Sequence, residues 1–119
     1  NQQINLPPAK FIHDSEGNQG RTQDSIVSLG VVVSGGVVDR SVLSPNVRVS
    51  SRTLITESVL LDDVQVGRDC TIRKAILDKN VVVSDGASIG VSKERDLERG
   101  FTVTDSGITV VAKGRLVTP

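Results

Sequence analysis

A chain of 119 residues has room for one domain and one continuous core. Its 14 basic residues balance its 14 acidic ones, which removes the electrostatic argument for a nucleic-acid or anionic-membrane partner. No apolar run approaches the roughly 18 to 20 residues of a membrane span and no signal-peptide pattern opens the chain, so a cytoplasmic location is expected. Cys70, the single cysteine, excludes an internal disulfide and fits a reducing compartment. Aromatics are 2% of the residues while 37% are hydrophobic, so Val, Ile and Leu must fill a core too narrow to need rings. The chain starts at Asn1 and contains no methionine, and we expect it to be a piece of a longer protein.

In chain order, residues 1–24 read as an extended lead-in, Leu6-Pro7-Pro8-Ala9-Lys10-Phe11-Ile12, followed by a polar loop from Asp14 to Asp24. Residues 25–91 are repetitive. Ser41–Glu57, Ser58–Lys74 and Ala75–Val91 superpose without gaps: Leu43, Leu60 and Leu77 share a column, as do Val47, Val64 and Val81; Val49, Val66 and Val83; and Ile55, Ile72 and Ile89. Ser25–Arg40 is a fourth row, one residue shorter, with its shortfall at Gly35-Gly36. Such self-similarity marks a solenoid, each row being a unit that cannot bury its apolar face without neighbours.

Within a row, large aliphatics recur at intervals of about six, six and five, as in Leu60, Val66, Ile72 and Leu77. A helix needs a period of about 3.6 and an amphipathic strand about 2, so neither fits. Three short strands joined by tight corners do fit, with each coil lying parallel on the last. Pro45-Asn46, Gly67, Asn80 and Asp85-Gly86 suit such corners. The row-end column Arg40, Glu57, Lys74 alternates in sign, so ion pairs between stacked coils are expected there. Residues 92–119 read as a charged loop or helical turn over Ser92–Gly100 with Ser92 as cap, then strands near Phe101–Thr104 and Ile108–Ala112 around an Asp105-Ser106-Gly107 turn. Both flanks are expected to cap the solenoid ends. The fold class is therefore all-β, a parallel β-helix of about four coils, with its handedness unreadable from the pattern.

The chemistry-bearing residues are few. His13, the only histidine, lies outside the repeats, where surface or interdomain packing accounts for it better than a general-base role. Cys70 shares a column with Thr53 and Ala87, a small inward position. Gly35-Gly36 is a turn and no phosphate loop, since no lysine-bearing motif or strand-to-helix junction follows it. Lys79 is open to two readings: an ion pair with Asp62 one coil below, or a cation free to hold an anion.

Ala75-Ile76-Leu77-Asp78-Lys79-Asn80-Val81 with Gly86 and Ile89-Gly90 resembles the C-terminal domain of the ADP-glucose pyrophosphorylases (glucose-1-phosphate adenylyltransferases). So do Pro7-Pro8-Ala9-Lys10-Phe11, Asp24-Ser25-Ile26-Val27-Ser28 with Gly30, and Arg99-Gly100-Phe101 before Gly107-Ile108-Thr109-Val110-Val111; the likeness runs from about Leu6 to Lys113. The resemblance implies a left-handed β-helix that follows an N-terminal nucleotidyltransferase domain, packs on it and helps build a homotetramer. The family's enzyme makes ADP-glucose and pyrophosphate from ATP and glucose 1-phosphate with magnesium, for glycogen or starch. The resemblance assigns no catalytic residue, cofactor or metal to this domain. It does imply a contribution to binding phosphorylated effectors by the signature Asp78, by Lys79 after it and by Lys113, with Arg115 a looser candidate. Three rivals stand beside it: a hexapeptide acyltransferase, a non-enzymatic assembly scaffold, and the same domain of another sugar-nucleotide pyrophosphorylase such as a mannose-phosphate guanylyltransferase.

Overall fold

The computed structural model describes residues 7–119; residues 1–6, with Leu6 of the lead-in among them, lie outside the described residues. Three parallel sheets form the faces of a prism. The first runs β1 (Lys10–Ile12), β4 (Val32–Ser34), β7 (Arg48–Val49), β10 (Gln65–Val66), β13 (Val82–Val83) and β17 (Leu116–Val117). The second runs β2 (Arg21–Gln23), β5 (Val37–Asp39), β8 (Leu54–Thr56), β11 (Thr71–Arg73) and β14 (Ser88–Ile89). The third runs β3 (Ile26–Val27), β6 (Val42–Leu43), β9 (Val59–Leu60), β12 (Ala75–Leu77) and β16 (Thr109–Val111), and ends on β15 (Thr102–Val103).

The stacking follows the repeat. Val49, Val66 and Val83 lie one above another, as do Ile55, Ile72 and Ile89, and Leu43, Leu60 and Leu77. All nine are buried, because strands this short turn one side chain inward before the next corner. The short first row loses its residue where expected: β4 meets β7 with Val32 opposite Arg48, and β5 meets β8 with Val37 opposite Leu54. Gly36 sits in that gap, where an added Cβ would stand 2.9 Å from Val49 Cγ1 and 3.0 Å from Ser50 O.

The corners hold residues in the left-handed region. One column is Asn46, Asp63 and Asn80, and another is Arg52, Asp69 and Gly86. The row-end column Arg40, Glu57, Lys74 also has positive φ, at 48°, 50° and 45°. Among the described residues no ion pair joins these three; Arg40 meets its own neighbour Asp39 instead, at 3.4 Å. The expected charge ladder is thus not formed, because the left-handed corner leaves these side chains exposed. Register there is held by hydroxyls. Ser25 Oγ accepts from Ser41 N, Ser41 Oγ from Ser58 N and Ser58 Oγ from Ala75 N, at 3.0, 3.1 and 3.1 Å, while each hydroxyl donates to the carbonyl two residues back. Ser58→Ala leaves the Ala75 N–H unpaired inside the prism, and we expect a loss of about 1–3 kcal/mol in urea unfolding. A loss below about 0.5 kcal/mol would show that the ladder contributes little.

Both flanks join the prism. The lead-in forms β1, paired with β4. The stretch read as a polar loop contains β2, all of it exposed and held by backbone pairing with β5, which is why no apolar pattern announced it. Asp14 closes the intervening turn, accepting at Oδ1 from the N–H groups of Glu16 and Asn18. Burial raises its pKa, but bonds from Ser51, Asn18 and Glu16 outweigh this and lower it to about 2. At the other end α1 (Lys93–Glu98) is capped by Ser92, whose side chain accepts from Arg95 N, and β15 runs antiparallel to β16 at the edge of the third sheet. An antiparallel strand there ends the parallel stack.

The outward side of the third sheet is unusual. Ile26, Val42, Val59, Ile76 and Val110 stack in one outer column, with Ile26 exposed and the others half-buried. The corresponding outer column of the first sheet is mixed: Arg48, Gln65, Val82 and Leu116.

Candidate functional site

β12 leads into the corner Asp78-Lys79-Asn80 and on to β13, while β16 leads into Ala112-Lys113-Gly114-Arg115 and on to β17. Ala75 pairs with Thr109 before the corner and Val82 with Leu116 after it, thirty-four residues apart on both sides. The two corners are therefore in register: Lys113 lies directly above Lys79, and Gly114 above Asn80. Gly114 N donates to Lys79 O at 2.9 Å, Asp78 N to Val111 O at 3.1 Å and Val82 N to Arg115 O at 3.0 Å. Asn80 and Gly114 supply the positive φ, 63° and 73°. Below, Asn80 N donates to Asp62 O at 3.0 Å, so the Lys79 corner is stacked on both sides.

Asp78 is a turn former: its Oδ1 accepts from Lys79 N at 2.7 Å. Lys79 and Lys113 are both exposed, and among the described residues neither has a carboxylate within 4 Å. The Lys79–Asp62 pair that the column allowed is not formed. Neighbouring strands sit about 4.8 Å apart. Two ammonium groups on such neighbours repel by about 1 kcal/mol even in bulk water. An anion with several oxygens placed between them relieves that repulsion and is bound by both.

Arg115 shares the upper corner by its backbone, but its side chain is engaged elsewhere. Its guanidinium stands 5.0 Å from the Phe101 ring centroid and donates through Nη2 to Arg99 O. Arg99 stands 4.9 Å from the same ring. Its Nη1 donates to Thr118 O at 3.1 Å, and its Nη2 to Ser88 O and to Asp96 Oδ1. Asp96, buried in α1, also accepts at Oδ2 from Gly90 N at 3.0 Å and from Thr109 Oγ1 at 3.1 Å. No pattern in the residues marks this cluster. The stacking of the two lysines did have a signal: Asp78-Lys79-Asn80 and Ala112-Lys113-Gly114 are two row lengths apart, with the row between them replaced by the helix.

Elsewhere the chemistry is quiet. His13 is exposed and bridges to Gln19. Cys70 is a free, buried thiol whose pKa burial pushes up, and its Sγ donates to Arg68 O and Ser84 O. Arg52 holds Asp69 in a two-pronged pair and thereby lowers its pKa. Among the described residues no group of three or more His, Cys, Asp or Glu converges to hold a metal ion. Among the described residues no helix is long and apolar enough to cross a membrane. A shallow groove of about 630 Å³ lies over the first sheet between Arg48, Gln65, Val82 and Asp85.

Residues 7–111 match the family described as "GlmU-like, C-terminal hexapeptide". The chain belongs to that hexapeptide family. Its prism is the left-handed β-helix of hexapeptide repeats. It is also similar to several proteins named glucose-1-phosphate adenylyltransferase. It is 56% identical over 113 residues to that of Bifidobacterium adolescentis, covering 95% of this chain and 27% of that protein. It is 58% identical over 109 residues to that of Frankia casuarinae, covering 92% and 26%, and 52% identical over 118 residues to that of Leifsonia xyli subsp. xyli, covering 99% and 28%. The chain thus spans about a quarter of the length of these relatives.

Proposed function

We propose that this β-helix is the C-terminal regulatory and assembly domain of a cytoplasmic glucose-1-phosphate adenylyltransferase. The parent joins ATP and glucose 1-phosphate into ADP-glucose and pyrophosphate, with magnesium held by its N-terminal catalytic domain, and supplies glycogen or starch synthesis. The likeness to adenylyltransferases over nearly the whole chain supports this reading. The domain contributes cations to a site for phosphorylated metabolites, without taking part in the chemistry.

The observation that carries the regulatory role is the register of Lys79 under Lys113. Two unpaired ammonium groups on adjacent coils match a phosphate dianion, and the stacked backbone fixes their spacing before any ligand arrives. Asp78 shapes the lower corner rather than touching the anion. The outward aliphatic column Ile26, Val42, Val59, Ile76 and Val110, exposed at Ile26 and half-buried elsewhere, supports the assembly role, since it offers an apolar face to the catalytic domain or to another subunit of a homotetramer.

The test uses the full-length adenylyltransferase and inorganic phosphate as probe. Lys79→Ala and Lys113→Ala should each weaken phosphate binding by about tenfold, as expected for loss of one charge-assisted contact. Turnover without effector should remain at the native level. Native phosphate affinity in both variants would remove the regulatory reading and leave assembly alone.

A further inference from the structure

The two lysines are not equally supported. Lys79 lies on an interior corner, bonded to the coil below through Asn80 N and to the coil above through Lys79 O. Lys113 lies on the last described coil: β17 is the edge of the first sheet, and no described strand stacks above the Ala112–Arg115 turn. A terminal coil frays unless something replaces the missing neighbour. Fraying of this turn would move Lys113 away from Lys79 and impose an ordering cost on any ligand that needs both.

Phe101 and the two arginines are placed to stop this. Phe101 is 5% exposed, which is unusual for the lone ring of a cap. Arg99 and Arg115 stand 4.9 and 5.0 Å from its centroid. Two cations against one ring are held there by hydrogen bonds: Arg115 Nη2 to Arg99 O, and Arg99 to Asp96, Ser88 and Thr118. Arg99 thereby ties the edge of the second sheet, through Ser88, to the chain end, through Thr118. Arg115 ties the Lys113 turn to that rigid block. At Gly100 an added Cβ would come within 3.8 Å of the Arg115 guanidinium, so Arg115 also packs along the cap backbone.

We propose that Arg115 is a positioning residue, clamped over Phe101 by Arg99, which fixes Lys113 above Lys79, and that it does not itself touch the anion. This rests on the anion-site reading of the two lysines and assigns Arg115 a different part in it. Phe101 has no group that could contact phosphate, so any effect of changing it on phosphate affinity has to pass through the turn.

The experiment measures binding of inorganic phosphate to the full-length adenylyltransferase by calorimetry, with effector-free turnover as a control. Phe101→Leu should weaken phosphate binding by about tenfold, the scale of a typical coupling between a site and its support, and leave effector-free turnover native. Should Phe101→Leu fail to fold, Phe101→Met, of similar volume but with a longer, adaptable chain, is expected to fill the gap better and to behave alike. Arg115→Lys, which keeps a cation near the ring, should lose less affinity than Arg115→Gln. In the Phe101→Leu/Arg115→Gln double variant the losses should be strongly non-additive, because both changes release the same turn. Native affinity in the folded Phe101 variant overturns the proposal, and so do additive losses, which would make Arg115 a direct ligand. Lys79→Ala and Lys113→Ala, measured alongside, separate the two failures. If they weaken phosphate binding while Phe101→Leu does not, only the clamp is wrong; if they do not weaken it, the anion site itself is wrong.

Discussion

Gly90→Ala should leave the chain largely unfolded. Gly90 has φ +79°, and a Cβ built on it would lie 1.8 Å from Arg73 O and 2.9 Å from Arg73 C, both backbone atoms of the coil beneath. Left-handed backbone alone costs an L-residue about 1–2 kcal/mol. The overlap with a carbonyl oxygen cannot be relieved by a rotamer change, so β14 must lift from β11 and carry Gly90 N away from Asp96. The combined loss should exceed about 4 kcal/mol, a large part of the roughly 5–15 kcal/mol that holds a typical domain together. Gly107→Ala is the control: its φ is +87°, but nothing stands within 4 Å of the added methyl group. It should lose only the backbone part, about 1–2 kcal/mol. Urea unfolding followed by circular dichroism compares them, and equal midpoints for the two variants would show that close approach of the coils at Gly90 does not matter.

The same contrast explains which parts of the molecule the sequence announced. The columns Leu43–Leu60–Leu77 and Val49–Val66–Val83 are legible because burial in a narrow prism demands one branched aliphatic at each level, and nothing else fits. The shortfall at Gly35-Gly36 is legible because a missing residue shifts every later column. β2 was hidden, since Arg21, Thr22 and Gln23 are all exposed and only their backbones take part. The hydroxyl ladder of Ser25, Ser41 and Ser58 stands in the sequence as a column of identical residues, but a serine column has no complementarity of its own to show that its hydroxyls bond from coil to coil. Arg40, Glu57 and Lys74 alternate in sign without meeting, since side chains on left-handed corners gain more from solvent than from surface pairing. In the site, Lys79 and Lys113 came from the family likeness, but their direct stacking follows only from the pairing that skips a row. Arg115 came from the same likeness, and its guanidinium lies against the Phe101 ring of the cap, a contact no pattern in the residues marked.

The cap carries the second large expected effect. Asp96 is 1% exposed and is the one buried acidic side chain among the described residues, on a six-residue helix that has replaced a whole coil. It is tolerated because each oxygen is satisfied: Oδ1 by Arg99, and Oδ2 by Gly90 N and Thr109 Oγ1. Asp96→Ala removes all three partners at once and leaves a guanidinium that is 14% exposed without its carboxylate. Breaking one side of a buried pair in this way should cost about 3–5 kcal/mol, read as a fall in urea midpoint. Asp96→Asn should cost less, since its amide oxygen can still accept from Gly90 N or Thr109 Oγ1, but its NH₂ then faces the Arg99 donors. If Asp96→Ala lost under about 1 kcal/mol, the network would be no more than a surface ion pair. The consequence reaches past stability. Asp96 joins the last regular coil at Gly90, the resumed coil at Thr109 and the Arg99 that holds Arg115, so it is the point at which the register lost in the helical row is recovered. Without that recovery Lys113 has no reason to come to rest above Lys79. Asp96→Asn, folded but loosened, should therefore weaken phosphate binding in the full-length enzyme more than an equally destabilising core change such as Ile55→Val, which lies in the regular coils away from the cap.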